Sequence, residues 1–571
     1  MKFLLVGINA KFIHTNPALF CLKAYADKYS ECNDATIEIA EYTINWQTED
    51  IVRDIVSQNA DFVGFSSYIW NIDAVKKVSS ALSKISPRTY IWLGGPEVSF
   101  NSDLLLSEMP YLTGIMVGEG EETFTELVKY YLGRLNEDSD NELSKIKGIA
   151  FINDGDTMKT PDRGCIELNK IPFIYDDLSY FKDKIIYYES SRGCPFSCAY
   201  CLSSIDKQLR FKDIGKVKEE LRVFIDANVP MVKFVDRTFN CNQKRTLELL
   251  QFLRDSDNGV TTFHFEIAGD ILSKEECAIL ETLRPGLVQL EIGVQSTNEI
   301  SLDSIKRKTD LKRLFENASK LINFGNMHIH LDLIAGLPYE NYDSFVNSFN
   351  EVFSLKPHEL QLGFLKVLFG TYMHEIKEEH EIVYNSYAPY EVLSTKYLSY
   401  GEICILKNVE EMLEIYYNSG QYKNSVGFLL EKEESPFNLF LNLSEFYAEK
   451  GLLTLQSSRI LKYEILLEYV KKKYPKDELL FRDELTLDFY LREKAKSRPS
   501  FSNEYNYESA DRFYCRENVE KYFPDCDIYD MKALKRQTHY EQFAYLNRTV
   551  IFDYFKRDPI YHDAKTEDIQ K

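Results

Sequence analysis

Short β-rich runs alternate with helical patterns twice along this chain, and that double alternation limits the fold more than any other feature. In the first series KFLLVGI, TIEIAEYT, DFVGFSSYI, TYIWLGG and GIMVGEG read as strands, with apolar residues three and four apart in the segments between them. Residues 1–134 are therefore expected to form an α/β unit, a doubly wound parallel five-stranded sheet. Ligands of such sheets bind beyond the carboxyl ends of the strands, here the loops 9–17, 66–71, 94–100 and 118–122. The second series runs KIIYYESS, MVKFVD, TFHFEIAG, LVQLEIGV, MHIHLDLIAG and LQLGFLKVL. Six such units over residues 184–370 predict a partial (β/α)6 barrel, open where eight would close.

Between the two series, residues 135–183 read as a linker with a polar run, NEDSDNE, and a small hairpin turning at Asp154-Gly155. Residues 371–571 are expected to form a mostly helical domain, in which LDFYLREKAKSRPSF and TVIFDYFKRDPIYHD read as packing stripes. No apolar run approaches the roughly 18 residues of a membrane span, so an integral membrane protein is excluded. The opening MKFLLVGINAKF is too short for a secretory signal and reads as a first strand, which points to the cytoplasm. Lys and Arg number 68 against 89 Asp and Glu, a net charge of −21 that disfavours nucleic acid as a partner.

The chain has 11 Cys, an odd count that argues against a disulfide framework, and three of them crowd into SSRGCPFSCAYCLSS. Cys194, Cys198 and Cys201 stand in a CxxxCxxC loop after the first barrel strand. At this Cys frequency, three at one preset spacing would arise by chance about 0.004 times. Three thiolates in one tight loop can hold a four-iron cluster while leaving one iron open to chemistry. Zinc would need a fourth ligand, and no Cys or His lies at a suitable spacing. Cys515 and Cys526, in a region with few His, are not read as a second cluster.

This loop resembles that of the radical S-adenosylmethionine (SAM) superfamily. The resemblance implies that Cys194, Cys198 and Cys201 ligate a 4Fe–4S cluster whose open iron chelates SAM, and that Tyr200 lies by the adenine. It extends along the barrel. VDRTFN stands where many members have Gly-Gly-Glu, making Asp236 and Thr238 candidates for the methionine amino group. LEIGVQS, with Glu291, Gln295 and Ser296, is similar to the ribose-contacting strand end. Arg307 resembles the arginine that pairs the methionine carboxylate, a role suited to a planar guanidinium. DLIAGLP is similar to the adenine-side strand.

A parallel sheet ahead of such a barrel resembles the cobalamin-binding arrangement of that superfamily. Gly94-Gly95 and the Gly118-Glu119-Gly120 segment are similar to segments along the corrin edge and nucleotide tail, where glycines permit close backbone approach. Ser66, Tyr68 and Trp70 are further candidates, the two aromatics as a cover for the lower cobalt face. The loop NAKFIHTNPAL carries His14, but Phe12 and Pro17 replace the Asp and Gly of the His-ligand motif. A dinucleotide reading of GEGEET fails for want of a third Gly and because its Glu residues would face phosphates.

The resemblance implies a cobalamin-dependent radical SAM methyltransferase acting on an unactivated carbon or phosphorus centre of a small molecule. An electron donor such as flavodoxin or ferredoxin would reduce the cluster. Radical rearrangement or cyclisation, methylthiolation of RNA, and a non-catalytic corrinoid or redox sensor are the rival readings.

Overall fold

A computed structural model of the protein describes residues 1–134, 142–453, 455–504, 507–523 and 531–569. Cys526 and most of the polar run, residues 136–141, lie outside the described residues.

The first alternating series forms a parallel sheet of β1 (Lys2–Asn9), β2 (Thr36–Thr43), β3 (Phe62–Ser66), β4 (Tyr90–Gly94) and β5 (Gly114–Met116), in the order β2-β1-β3-β4-β5. Side chains alternate between the two faces of a strand, and β1 shows it: Leu4 and Val6 enter one apolar core, Phe3 and Leu5 another. The Asp154-Gly155 turn forms with both residues at positive φ, 52° and 94°. Its strands are not a separate ribbon, however. β6 (Ile149–Asn153) and β7 (Asp156–Lys159) add antiparallel beside β5 and extend the sheet to seven strands. β5 is only three residues long, and the hairpin covers backbone groups it would otherwise expose.

The second series begins with β8 (Ile186–Tyr188), followed by a two-residue ribbon of β9 (Ser191–Arg192) with β10 (Arg210–Phe211). Then come β11 (Met231–Phe234), β12 (Thr262–Ile267), β13 (Val288–Gln295), β14 (His328–Ala335) and β15 (Glu359–Phe364). Six strands lie parallel in the order β15-β14-β13-β12-β11-β8, open between β8 and β15. On β12 to β14 the buried residues, such as Phe265, Ile292 and Leu331, alternate with half-buried polar ones, such as Glu266, Glu291 and His330. Parallel strands covered on both faces usually read as unbroken apolar runs. Here one face packs on helices, and the other lines a polar interior.

Helices from Tyr400 to Arg492 continue the barrel's core rather than starting a new one: Phe349 and Phe353 pack on Phe437 and Phe440. The tail departs from its helical reading near its end. Thr538–Phe543, Arg548–Arg557 and Ala564–Asp568 form an antiparallel sheet, because β-branched and aromatic residues in TVIFDYF favour a pleated surface. In the loop between its last two strands, Tyr561 packs on His358 at the amino-terminal end of the barrel, ring centroids 5.1 Å apart. Among the described residues no helix is long and apolar enough to cross a membrane.

Candidate functional site

The cysteine loop leaves β9 through Gly193, whose φ of +91° and whose neighbour, the Gln208 carbonyl, exclude a side chain. Backbone bonds then fix the loop: Cys194 N–H donates to Asp206 (3.1 Å) and Ala199 N–H to Ile305 (2.8 Å). The Ser204 hydroxyl donates to the carbonyls of both Cys198 (2.9 Å) and Cys201 (2.7 Å). Cys194 and Cys198 are buried, Cys201 half-buried, and all three are free thiols. Burial pushes the Cys194 thiol up, and the other two cysteines add to it. A bound metal relieves such crowding by stabilising thiolates, so the donor set fits a cluster.

Two polar side chains face this loop. Thr238 Oγ1 lies 3.9 Å from Cys194 Sγ, and Arg307 Nη1 lies 3.6 Å from Cys198 Sγ. Arg307 also donates to the Gly293 carbonyl, while its Nε is buried without a partner among the described residues. Gln295 sits at a register shift with φ of +75°, and its Oε1 is likewise unpartnered. Its amide lies over Gly293, where a Cβ would come within 2.1 Å of Nε2. Backbone strain and unpartnered atoms at a strand end are typical of a ligand contact. Tyr200 is half-buried beside the same arginine, its phenol raised by burial.

The remaining barrel candidates have other partners. Asp236 is buried and accepts from Ser190 N–H (2.7 Å), Ser190 Oγ (2.6 Å) and Ser191 Oγ (2.8 Å), so it anchors the strand leading to the cluster loop. Ser296 is buried and donates to Glu340 (2.6 Å). Glu291 lies a layer deeper, between Lys233 Nζ (3.6 Å) and His264 Nε2 (3.1 Å). Burial opposes its charge, but His264 and Lys233 hold its carboxyl down at about 2.

At the edge of the N-terminal sheet, Ser66 Oγ accepts from Asn16 Nδ2 (2.8 Å), and Tyr68 stacks on Trp70 with centroids 4.3 Å apart. Gly95 has φ of +111°, and a Cβ there would lie 2.5 Å from the Ser67 carbonyl. Gly94 and Gly120 are crowded by Met116 and Leu22, while Gly118, at φ +78°, faces open space. Among the described residues, buried oxygens of Thr15, Asn16 and Ser67 have no partner, and Phe12, Trp70 and Phe100 are exposed along the same edge. Neutral hydrogen-bonding groups, open glycine backbone and bare aromatics fit a large ligand with an apolar face and an amide rim, as a corrin has.

Glu119 and His14 instead join this edge to the barrel. Arg210 pairs with Glu119 (2.7 Å), while Arg192, two residues before Cys194, pairs with Glu119 (3.3 Å) and Glu121 (2.8 Å). Burial opposes ionisation of Glu119, yet these arginines hold its carboxyl below the ordinary range. His14 Nδ1 lies 2.6 Å from the Tyr187 hydroxyl of β8.

Sequence reasoning missed the inner face of the barrel, where Lys233, His264, Glu266, His330, Asp332 and Glu359 gather. Its signal was present in TFHFEI and HIHLDL, whose charges recur at every second residue.

A thiol loop at a barrel mouth, joined to the ligand edge of a second α/β sheet, defines a two-cofactor iron–sulfur class. Comparison with known proteins agrees. Residues 4–128 match the B12 binding domain, 188–352 the radical SAM superfamily, and 378–556 a family described only as protein of unknown function, DUF4080. The chain belongs to the cobalamin-dependent radical SAM family, and its domains imply a 4Fe–4S cluster, SAM and cobalamin.

An uncharacterized methyltransferase of Pyrococcus horikoshii, PH0819, is 27% identical over 45% of this chain and 59% of its own length. The anaerobic magnesium-protoporphyrin IX monomethyl ester cyclase of Rubrivivax gelatinosus is 25% identical over 53% of this chain and 56% of its own. The chain thus spans less than two thirds of either relative. The solved structure of OxsB, a cobalamin-dependent SAM radical enzyme, shares the fold with a TM-score of 0.56 at 15% identity, covering 83% of this chain and 80% of that one.

Proposed function

We propose that this protein is a cytoplasmic enzyme that methylates an unactivated carbon or phosphorus centre of a small molecule, using SAM and cobalamin. The observation that carries the reading is the ionic tie of Glu119 and Glu121 to Arg192 and Arg210, which joins the corrin-type edge directly to the cysteine loop. When bound, the cluster and SAM supply a deoxyadenosyl radical able to abstract hydrogen, and cobalamin supplies a methyl group.

The chain's own residues bind and orient. Cys194, Cys198 and Cys201 ligate the cluster, and Arg307 takes the SAM carboxylate with the guanidinium that already leans on Cys198. Thr238 serves the methionine amino group and Tyr200 the adenine side, while Glu291, held by Lys233 and His264, and Gln295, whose amide lies over Gly293, are left to the barrel interior. Ser66, Tyr68, Trp70 and the glycines at 94, 95, 118 and 120 receive the corrin. A flavodoxin- or ferredoxin-like protein delivers the electron. The name of the Rubrivivax relative supports a second reading, in which the same radical closes a ring without methyl transfer.

The test is anaerobic reconstitution with iron and sulfide, reduction, and assay for 5′-deoxyadenosine from SAM. Release supports the enzyme reading; an intact cluster that cleaves no SAM favours a sensor. Methyl-labelled SAM, offered with candidate substrates, then separates the two chemistries: label in the product means methylation, and an unlabelled cyclised product means ring closure.

A further inference from the structure

The inner face of the barrel holds charges that the proposed cofactor contacts leave unused. Register places Glu266, Glu291, His330 and Glu359 side by side on β12, β13, β14 and β15. Lys233 and His264 lie beside them toward the base, and Asp332 follows His330 on the same face toward the mouth.

The internal partners of these groups do not match. Glu291 has Lys233 and His264, and Asp332 has His330 at 3.0 Å. Burial would lower His330, but Asp332, with Glu359 and Glu291 beyond it, raises the imidazole to about 9, so it is a cation at neutral pH. Among the described residues Glu266 has a single ion pair, with Arg237 at 3.9 Å from the rim. The Glu359 side chain has no hydrogen bond or ion pair within reach among the described residues, its nearest favourable charge being that of His330. Burial, reinforced by the neighbouring Glu291, raises Glu266 to about 7 even against the charges of Arg237 and Lys233. Half-buried carboxylates without close partners weaken a fold unless a ligand brings the opposite charge.

A second observation points the same way. Gln295 is only 9% exposed, its Oε1 has no partner among the described residues, and its amide lies over Gly293 on this face. An amide oxygen can only accept, so it too calls for a donor.

We propose that the barrel interior binds a substrate carrying protonated nitrogen, an amine or guanidine, with Glu266 and Glu359 as its counter-charges and Gln295 accepting at the mouth. This rests on the enzyme reading above, in which the barrel holds the substrate. An anionic substrate would meet like charge here, and an apolar one would leave the carboxylates unmatched.

Putrescine, 1,4-butanediol and succinate share a chain length and differ in charge. Each is titrated calorimetrically into the reconstituted holoenzyme with SAM present, beside Glu266→Gln, Glu359→Gln and the double variant. Putrescine is expected to bind while the diol and the diacid do not. Its affinity should fall about tenfold or more in the double variant and in the same direction in each single one. SAM affinity and basal 5′-deoxyadenosine release should stay within about twofold. Equal binding of the diol or succinate, or undiminished putrescine affinity in all variants, overturns the inference. Loss of SAM affinity in the variants also overturns it, because the carboxylates would then serve SAM. Failure of the wild-type protein to cleave SAM counts against the enzyme reading instead and leaves the putrescine result standing.

Discussion

Two ligand edges meet in this molecule, both at the carboxyl ends of parallel strands, and their chemistry is opposite. The edge of the N-terminal sheet offers hydroxyls, amides, glycine backbone and exposed aromatics; its acids Glu119 and Glu121 are paired with Arg210 and Arg192. The barrel offers thiols, a guanidinium with an unpartnered nitrogen, and a row of carboxylates. Topology fixes where a ligand sits, whereas side chains decide whether it is a large neutral ring or a compact charged group.

The largest expected effect tests whether the two edges are independent. Cys198→Ala should abolish the iron–sulfur absorbance and all SAM cleavage while cobalamin still binds, since the sheet and barrel have separate apolar cores. Loss of cobalamin binding in the same variant would mean that the cluster loop holds the corrin edge in shape. Arg307→Lys sharpens the barrel side. It keeps the charge but loses the planar fork, and SAM affinity is expected to fall by about 2 kcal/mol, roughly thirtyfold, with iron content unchanged. Gly95→Ala is the counterpart on the neutral edge. A methyl group 2.5 Å from the Ser67 carbonyl at φ +111° should cost about 1–3 kcal/mol. Cobalamin affinity should drop while the cluster forms normally, as spectrophotometric titration of both cofactors would read.

The two edges also differ in how far the sequence disclosed them. The cysteine loop was legible because its chemistry needs thiols at a tight spacing and because both strand series carried clear patterns. Partners across the fold were not legible. Asp236 stands at a strand end in the sequence, but only the folded chain brings Ser190 and Ser191 to it. Ser296 is taken by Glu340, 44 residues away. The antiparallel β6 and β7 were found as a hairpin, yet nothing local says that a three-residue β5 needs covering. The polar barrel interior is written in a period of two, yet a strand is recognised by its apolar residues, and the polar ones that alternate with them do not say whether they face solvent or a ligand.

A smaller effect separates neutral from charged acids within the barrel mouth itself. Glu340 is fully buried, accepts from Ser296 and Ser348, and burial raises its carboxyl to about 7. The folded protein therefore keeps a proton that the unfolded chain releases above the ordinary carboxylate value near 4.5. Stability from this group is lost as pH rises from that value through about 7. Glu340→Gln should flatten the decline in melting temperature between about pH 5 and pH 8, an effect on the order of 2 kcal/mol at the upper end. An unchanged pH profile would place the proton elsewhere.

The smallest expected effect bears on the one residue that could blur the contrast. If His14 ligated cobalt, the neutral edge would contain a strong donor of its own. Its Nδ1 instead lies 2.6 Å from the Tyr187 hydroxyl on the barrel. Burial, with Lys11 and Lys233 nearby, lowers its basicity. Phe12 stands 69% exposed at the position of the His-ligand motif's Asp, and a phenyl ring cannot orient an imidazole toward a metal as a carboxylate does. Electron paramagnetic resonance of the Co(II) form should accordingly show no nitrogen splitting that depends on this residue, and His14→Ala should leave the spectrum unchanged. Triplet splitting that disappears in His14→Ala would show that the loop rearranges on binding, releases Tyr187, and makes the two edges more alike than their resting chemistry suggests.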